Sequence, residues 1–483
     1  MDMHFDLIVI GSGPAGQKAA LQGAKAGKKV AIIEKYSAFG GGCVHFGTLP
    51  SKSFRESVYR YSLGSRGALG QEIDARGATK HADLPEMERL LRRRDRVVSV
   101  ESQIIFNQLT RNRIQMFHGT ASFLSPNEIE IVSPKKRETI QGDIVIIAVG
   151  AGPVAPKNIP VNGKGVFDSN NILTLKRTPK SMIVLGAGVI GCEYASMFAT
   201  AGTQVTLVDR RHEILASVDR EIVGALLERF SHHDMHVLLE YETEKVEVLE
   251  KGSERTVRVT FNSEKHGRKV VEAETMMVAL GRFGNTTDLG LAKAGLQADE
   301  RGLIKVDRSF RTAVPSIYAV GDVVGQPALA STSMEQGRIA CCHAFQITGE
   351  LATTEMPENY PYGIYTIPEI SMVGRTEEEL KQKKVDFVVG KARYKELARG
   401  QIVGDRWGIL KLAVDRQTLK VLGVHILGDS AADLIHIGQA VMNLGGDVHY
   451  FIRNVVNYPT LAEAYKTAAL NAVNHIHGKT STR

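Results

Sequence analysis

The sequence predicts an α/β protein of about three domains. A succession of strand, glycine-rich turn, helix and strand occurs twice in the first 210 residues. After residue 351, strand-like and helical stretches alternate without another glycine motif of this kind. The chain has 483 residues, which at about 150 residues per domain corresponds to roughly three domains. These observations favour two Rossmann-like domains followed by an α+β domain.

The first glycine-rich turn lies between an apolar strand and a helical pattern over residues 17–28. Its glycines are Gly11, Gly13 and Gly16, and the next strand ends at Glu34, 23 residues after the first glycine. In a dinucleotide-binding unit the first glycine allows the tight turn, the second admits the pyrophosphate and the third lets the helix pack closely. The helix N-terminus stabilises the phosphates, and the acid accepts a hydrogen bond from a ribose hydroxyl.

A second turn of the same kind follows an apolar strand that begins at residue 181. Its glycines are Gly186, Gly188 and Gly191, and the acid is Asp209, again 23 residues after the first glycine. One such motif is weak evidence, whereas two complete copies in one chain predict two dinucleotide-binding domains.

Two arginines directly after the second acid bear on which nucleotide this unit takes. Asp209 suits the ribose 2′-hydroxyl of NAD, whereas Arg210 and Arg211 could pair with the 2′-phosphate of NADP. The combination predicts a site that accepts both nucleotides. The alternative is a solvated charged loop with a plain preference for NAD.

Further glycines mark where the chain passes between the predicted domains. Buried-strand runs end at Gly150 and at Gly281, and a later strand ends in Gly321-Asp322. Because that later strand lies beyond the second unit, the simplest interpretation is that it belongs to the first domain. The predicted division is a first domain over 1–150 and 281–350, a second over 151–280, and an α+β domain for subunit contacts over 351–483.

The composition excludes several classes of protein. The net charge of +7 is small for this length and is spread along the chain, so we expect no nucleic-acid partner. Four cysteines are too few for a secreted disulfide scaffold, and we expect no metal site. No apolar run reaches the roughly 20 residues that cross a membrane, and the N-terminus is unlike a signal peptide. The expected location is the cytoplasm.

Four more motifs complete a family pattern: Gly40-Gly41-Gly42-Cys43, Pro50-Ser51-Lys52, Ala319-Val320-Gly321-Asp322 and Pro459-Thr460-Leu461-Ala462-Glu463. With the two glycine turns, they make the chain similar, over essentially its full length, to the two-dinucleotide flavoprotein disulfide reductases. That family includes lipoamide dehydrogenase and glutathione reductase.

The resemblance implies FAD in the first domain, NAD or NADP in the second, and a homodimer or larger homo-oligomer. It implies that Asp322 bonds the FAD ribitol and that Lys52 and Glu193 pair beside the flavin N5 atom. The remaining positions that it assigns to cofactor binding are Gly42, Gly150 and Gly281.

The chain departs from the family pattern at two positions that disulfide chemistry requires. The family has two cysteines separated by four residues, but here Cys43 is followed by Thr48 at the second position. A single thiol cannot act as a dithiol–disulfide pair. The family also has a histidine before the C-terminal Pro-Thr, where this chain has Tyr458, a phenol and so a poor base at neutral pH. Glu463 remains without that histidine.

These departures predict that disulfide reduction is absent while reduction of the flavin by a nicotinamide nucleotide remains. The electron acceptor must then reach the flavin itself, and a second nicotinamide nucleotide could use the site that the first has left. The motifs over 40–52 and 457–465 resemble those of flavin-dependent transhydrogenases, which catalyse NADPH + NAD⁺ ⇌ NADP⁺ + NADH. The sequence thus predicts this reaction with ping-pong kinetics. The candidate catalytic residues are Cys43, Thr48, Lys52, Glu193, Tyr458 and Glu463.

Other functions stay open at this point. An accessible reduced flavin also suits an NAD(P)H oxidase or a quinone diaphorase. Cys43 alone could form a sulfenic acid, as in peroxidases or oxidases. A non-enzymatic flavoprotein is a further alternative, although it would not be expected to keep both Lys52 and Glu193.

Overall fold

The computed structural model describes residues 3–65, 86–154, 156–251, 254–350 and 352–478. The elements up to the first crossover between sheets are β1 (Met3–Ile10), α1 (Pro14–Lys25), β2 (Val30–Glu34), α2 (Gly41–His45), α3 (Thr48–Ser65), α4 (Met87–Arg111), β3 (Gln115–His118), β4 (Thr120–Ser125), β5 (Glu128–Val132), β6 (Arg137–Ile147) and β7 (Ala151–Pro153). Strands β3, β2, β1 and β6 form a parallel sheet in that order, and β5 and β4 continue it in antiparallel fashion.

The second sheet carries the second glycine turn. Its region contains β8 (Val166–Asp168), β9 (Ser181–Leu185), α5 (Val189–Thr200), β10 (Gln204–Asp209), α6 (Arg220–His232), β11 (His236–Leu239), β12 (Glu242–Lys251), β13 (Glu254–Asn262), β14 (Lys269–Ala273), β15 (Thr275–Val278) and β16 (Arg282–Gly284). Strands β11, β10, β9, β15 and β8 are parallel, and β12 to β14 form a separate antiparallel sheet.

The chain then returns to the first sheet. Strand β17 (Ile317–Ala319) pairs in parallel with the end of β6, and α7 (Ala330–Ala344) packs against α1. The two helices touch closely, because a Cβ atom on Gly337 would lie 2.2 Å from the carbonyl oxygen of Ala15. Strands β7 and β16, in which the chain passes between the first and second sheets, also pair with each other. The two connections between the sheets therefore lie side by side.

The C-terminal region is an α+β layer structure, as the sequence predicts. Its elements are β18 (Tyr362–Ile364), β19 (Glu369–Gly374), α8 (Glu377–Gln382), β20 (Phe387–Arg393), α9 (Ala398–Val403), β21 (Ile409–Asp415), β22 (Val421–Gly428), α10 (Ala431–Asn443), α11 (Val448–Arg453) and α12 (Glu463–Ile476). The strands form one antiparallel sheet in the order β18, β19, β22, β21, β20. Helices α10 and α12 cover it and enclose an apolar core.

A buried ion-pair cluster joins this C-terminal sheet to the second sheet. The Lys411 ammonium of β21 donates to both carboxylate oxygens of Asp219, at 2.8 and 2.9 Å, and lies 2.7 Å from the carboxylate of Glu377. Asp219 is also the N-cap of α6. A lysine buried this deeply is stable only when it is paired, so the cluster fixes how the two sheets meet.

The sequence places the first helix at residues 17–28, whereas α1 begins at Pro14 and ends at Lys25. Proline at the first helical position is favourable, because its missing N–H would have no helical partner there. Among the described residues, no helix has the length and apolar character needed to span a membrane.

Candidate functional site

The first glycine turn is packed so tightly that two of its glycines have no room for a side chain. A Cβ atom on Gly11 would lie 2.4 Å from the carbonyl oxygen of Ala148, and one on Gly16 would lie 1.9 Å from that of Gly11. At Gly13, the N-cap of α1, no described atom lies within 4 Å of such a Cβ. Internal packing therefore requires the first and third glycines, whereas the space above the second suits a ligand at the helix N-terminus.

Glu34 lies buried at the end of β2, where uncharged groups bind its carboxylate. One oxygen accepts hydrogen bonds from the Ser12 amide at 3.1 Å and the Ser12 hydroxyl at 2.6 Å, and the other accepts from the Tyr36 amide at 3.0 Å. The Ser12 hydroxyl also accepts from the Gly40 amide at 2.9 Å. This chain of bonds attaches the Gly40–Gly42 loop to the first glycine turn.

The Gly40–Gly42 loop closes over the first turn. A Cβ atom on Gly41, which has a φ of +60°, would lie 2.7 Å from the Cα of Gly13. At Gly42, which the resemblance assigns to FAD binding, no described atom lies within 4 Å of a built Cβ. The two loops thus form one glycine-lined cradle at the N-terminus of α1.

The second glycine turn repeats this geometry closely. A Cβ on Gly186 would lie 2.4 Å from the carbonyl oxygen of Ala279, and one on Gly191 would lie 1.8 Å from that of Gly186. Around Gly188, the N-cap of α5, no described atom lies within 4 Å of a Cβ. Both turns therefore leave the same position open for a pyrophosphate.

The acid of the second unit has a charged partner. The Asp209 carboxylate accepts from the Ala187 amide at 2.6 Å, and the Arg211 guanidinium binds both of its oxygens at 3.0 and 2.7 Å. Burial alone would raise the pKa of Asp209, but the hydrogen bonds from Arg211 and Ala187 outweigh burial and lower that pKa. The neighbouring Arg210 is exposed. The structure thus brings Asp209 and Arg211 together and leaves Arg210 in solvent.

Lys52 and Glu193 form an ion pair between α3 and α5, as the resemblance implies. The Lys52 ammonium donates to both carboxylate oxygens, at 2.9 and 2.8 Å, and Glu193 is only 3% exposed. The Tyr365 amide of the C-terminal region donates to the same carboxylate at 2.8 Å, and the Tyr365 ring centroid lies 4.9 Å from the Lys52 ammonium. Three separate parts of the chain therefore meet at this pair.

Cys43 lies close to this pair as a free thiol. Burial raises the pKa of Cys43, and a hydrogen bond with the Thr48 side chain offsets part of that effect. The negative charge of Asp322 also raises the Cys43 pKa, and the positive charge of Lys52 lowers it. The thiol is therefore protonated at neutral pH, which makes it a weak nucleophile.

Asp322 and Arg282 face each other where the chain crosses between the sheets. Arg282 Nε lies 3.6 Å from an Asp322 carboxylate oxygen, and the guanidinium also donates to the Ala151 carbonyl. Burial raises the pKa of Asp322, and Arg282 opposes that rise. Arg282 Nε is buried and has no hydrogen-bond partner among the described residues. A polar ligand beside the two side chains could satisfy this donor, which fits a bound ribitol or phosphate.

Gly150 and Gly281 lie at the same crossover. Both have positive φ, at +67° and +112°, and the Gly150 carbonyl accepts from the Asn285 amide at 3.0 Å. No described atom lies within 4 Å of a Cβ built on either glycine. They leave open space beside Arg282, in agreement with the FAD that the resemblance implies.

Tyr458 and Glu463 lie at the surface of the C-terminal region. The Tyr458 side chain is 74% exposed, whereas one carboxylate oxygen of Glu463 is buried without a hydrogen-bond partner among the described residues. Exposed apolar side chains nearby in sequence include Val455 and Tyr450. Within one chain Tyr458 is solvated, so a second copy of the chain would be needed to cover it.

A cavity of about 260 Å³ lies beside the Cys43 segment. Described residues that line it are His45, Phe46, Pro50, Arg94, Asp95, Val98, Asn170, Leu173 and Thr174. They do not include Cys43, Thr48 or Lys52, so the cavity adjoins the segment without reaching the Lys52–Glu193 pair.

Sequence reasoning missed three residues of this site. Ser12 binds Glu34, Arg282 faces Asp322, and Tyr365 contacts both Lys52 and Glu193. Arg282 could have been found, because it directly follows the glycine that ends a buried strand. The sequence holds no comparable signal for Tyr365, since its contacts lie 172 or more residues away.

Comparisons with known proteins agree with this geometry. Residues 5–337 match the family described as pyridine nucleotide-disulphide oxidoreductase, and residues 360–469 match the dimerisation domain of that family. A soluble pyridine nucleotide transhydrogenase of Mycobacterium bovis is 47% identical over 98% of this chain and 97% of its own length. One from Yersinia enterocolitica is 42% identical over 98% and 99%.

Solved structures show the same architecture. The HOCl-induced flavoprotein disulfide reductase RclA of Escherichia coli aligns with a TM-score of 0.84 at 26% identity, over 96% of this chain and 99% of its own. LpdA of Mycobacterium tuberculosis aligns with a TM-score of 0.85 at 25% identity, over 97% and 99%. The predicted fold class, of two dinucleotide-binding domains and a C-terminal domain, is thereby confirmed.

Proposed function

The chain belongs to the pyridine nucleotide-disulphide oxidoreductase family, and on that premise we propose that it is an FAD-dependent transhydrogenase of NADPH and NAD⁺. The observation that carries this proposal is the Cys43 segment. Cys43 is a free, protonated thiol beside Thr48, so the side chains there cannot accept electrons as a disulfide. The names of relatives at 42–47% identity support the same reaction.

Binding of FAD is assigned to the first cradle. The α1 N-terminus at Gly13 would hold the pyrophosphate, Glu34 the adenosine ribose, and Arg282 with Asp322 the ribitol end. When bound, FAD supplies a ring that accepts a hydride from one nicotinamide and returns it to another. The residues of the chain position the nucleotides.

The Lys52 ammonium is the fixed positive charge of the site. Glu193 orients it through two hydrogen bonds from a buried position, which directs the charge toward the site. Burial keeps the Cys43 thiol protonated, although its hydrogen bond with the Thr48 side chain offsets part of that effect. Proton transfer by Tyr458 is not required, because hydride exchange between two nicotinamides needs no general base.

The second glycine turn, at the N-terminus of α5, is assigned to both nicotinamide nucleotides in turn. The α5 N-terminus at Gly188 would hold the pyrophosphate. Asp209 would accept the 2′-hydroxyl of NAD, and Arg211 with Arg210 would bind the 2′-phosphate of NADP. Because Arg211 already contacts Asp209, it can neutralise the acid in one complex and bind phosphate in the other. One site used alternately gives ping-pong kinetics.

We assign a homodimer to the C-terminal region, in which the exposed Tyr458 would contact a second copy of the chain. The proposed domain boundaries are those expected from the sequence, at residues 150, 280 and 350. We place the protein in the cytoplasm, as the name "soluble" of its relatives supports.

The test uses purified protein without oxygen. NADPH is mixed with the thio-analogue of NAD⁺, whose reduced form absorbs at a different wavelength from NADPH. Initial rates are measured at several concentrations of both nucleotides. We expect turnover with parallel double-reciprocal lines and no turnover of lipoamide or oxidised glutathione. NADPH consumption that occurs only with oxygen or a quinone would instead establish an oxidase or diaphorase, and disulfide turnover would refute the proposal.

A further inference from the structure

The C-terminal region contributes one residue directly to the Lys52–Glu193 pair of its own chain. The Tyr365 amide donates to Glu193 Oε1 at 2.8 Å, the same oxygen that accepts from Lys52 at 2.9 Å. The Tyr365 ring lies beside the Lys52 ammonium, at 4.9 Å from its centroid. The Tyr365 backbone therefore contacts Glu193, and the Tyr365 ring contacts Lys52.

The segment that carries Tyr365 is fastened on both sides. The Ile367 amide donates to the Ser196 hydroxyl at 3.2 Å, and that hydroxyl donates to the Glu193 carbonyl at 2.8 Å. On the other side, the Arg55 guanidinium lies 2.9 Å from the carboxylate of Glu369. The segment is thus bound to α5 and to α3, so the ring has a fixed position relative to both helices.

An aromatic face attracts an ammonium ion, and the attraction grows when water is excluded. Lys52 has a side chain that is 25% exposed, so its flexible stem has a solvated alternative to the pair. Glu193 holds the ammonium from one direction, and the Tyr365 ring covers it from another. The two contacts together restrict where this charge can lie.

We propose that Tyr365 is a positioning residue, whose ring fixes the Lys52 ammonium beside the flavin and thereby sets the flavin reduction potential. The inference rests on the proposed function in one respect, that FAD occupies the first cradle with its ring near Lys52. A positive charge near the ring stabilises the reduced, more negative flavin. If the Lys52 ammonium is held less firmly beside the ring, the flavin reduction potential should fall.

The experiment measures the midpoint potential of the FAD-loaded protein by dye-linked anaerobic reduction, without any nicotinamide nucleotide. Tyr365→Phe keeps the ring, so its potential should equal that of the unmodified protein. Tyr365→Leu keeps the backbone amide but loses the ring. We expect its reduction equilibrium constant to fall about threefold to tenfold, which is about 15–30 mV for a two-electron couple.

Two further variants distinguish a role in positioning Lys52 from a general structural effect of the substitution. In a Lys52→Met background, Tyr365→Leu should leave the potential unchanged, because there is no ammonium left to position. Trifluorophenylalanine at position 365 has nearly the shape of phenylalanine but a weakened π face, and it should lower the potential relative to Tyr365→Phe. This arm does not depend on whether the leucine variant folds.

The proposal is overturned by an unchanged potential with trifluorophenylalanine, or by an equal effect of Tyr365→Leu with and without Lys52. A fall of the same size in Tyr365→Phe would assign the effect to the hydroxyl and would also overturn it. Since no nucleotide is present, these outcomes do not depend on whether the protein transfers hydride between NADPH and NAD⁺.

Discussion

In the first unit Glu34 is bound by amides and a serine hydroxyl, whereas in the second unit Asp209 shares its carboxylate with the Arg211 guanidinium. The backbones of the two units are otherwise alike. In both, the first and third glycines are in contact and the second faces open space. The difference therefore lies in the side chains at the ribose end.

This difference matches the two kinds of ligand that the units are proposed to hold. An acid bound by neutral donors keeps its negative charge for a ribose hydroxyl, which suits a cofactor that stays bound. An acid paired with a partly exposed arginine can be neutralised by it or released, which suits nucleotides that alternate with and without a 2′-phosphate. The two units thus have similar backbones. The cation beside the second acid is what distinguishes the proposed exchangeable binding from the proposed permanent binding.

The largest expected effects come from the third glycines. Gly191→Ala would put a Cβ 1.8 Å from the Gly186 carbonyl oxygen, so the turn must shift. Because a displacement of about 1 Å can cost about 100-fold in rate, we expect flavin reduction by NADPH to fall at least about 100-fold while FAD remains bound. Gly16→Ala should instead lose FAD. Flavin absorbance of the purified variants and stopped-flow reduction measure both effects.

Gly224→Ala is the matched control, since the residue lies inside α6 and, apart from the backbone of that helix, no described atom lies within 4 Å of a Cβ there. It should retain FAD and its reduction rate. If Gly191→Ala lost FAD and Gly16→Ala kept it, the assignment of the two units to FAD and to nicotinamide nucleotides would be reversed.

A smaller effect is expected when the arginines of the second unit are neutralised. Arg210→Gln with Arg211→Gln removes the proposed partners of the 2′-phosphate. A hydrogen bond to a charged group contributes about 1.5–3 kcal/mol, so the Kd of NADPH should rise about tenfold to 150-fold. The Kd of NADH should change far less. Equal weakening of both nucleotides would mean that these arginines form a solvated loop without phosphate specificity.

Neutralising the acid should shift the preference in the opposite direction. Asp209→Asn removes a negative charge that repels a 2′-phosphate and frees Arg211. Two like charges about 4 Å apart repel by about 1 kcal/mol in water, so we expect about fivefold tighter binding of NADPH, with weaker binding of NADH. Titration of each nucleotide by fluorescence checks this. Tighter binding of NADH in the variant would contradict the role given to Asp209.

The smallest effect concerns stability in acid. Hydrogen bonds from Arg211 and Ala187 lower the pKa of folded Asp209, so the carboxylate stabilises the fold above its unfolded pKa of about 3.9. That contribution is lost as the pH falls through the lower folded value. Because Arg211 is 45% exposed, we expect about 1 kcal/mol or less. Urea unfolding of Asp209→Asn should accordingly depend less on pH below about pH 4 than unfolding of the unmodified protein.

Most of the two glycine units could be predicted from the sequence, because their geometry depends on residues close together in the chain. The spacing of Gly11 and Glu34 follows from one strand, one turn and one helix. The site around Lys52 could be predicted only by resemblance, since Glu193 is 141 residues away. Tyr365 could not be predicted, because no local pattern indicates which loop of the C-terminal region packs against α3 and α5.

The antiparallel sheet of β12 to β14 also had no counterpart in the sequence prediction. Its strands nevertheless carry the alternation of a half-buried strand, since Val257 and Val259 are buried on either side of the exposed Arg258, so β13 could have been recognised from the sequence. Pairing across β12 and β13, with Glu247 opposite Arg258, becomes visible only once the register is known.

The central claim is that electrons do not pass beyond the flavin ring to a disulfide, and an anaerobic titration with NADPH tests it most directly. We predict that one equivalent of NADPH per FAD bleaches the flavin completely, without a long-wavelength thiolate charge-transfer band. A Thr48→Cys variant, which restores two thiols at the family spacing, provides the comparison that should show such a band. Uptake of two equivalents, or that band in the unmodified protein, would contradict the account.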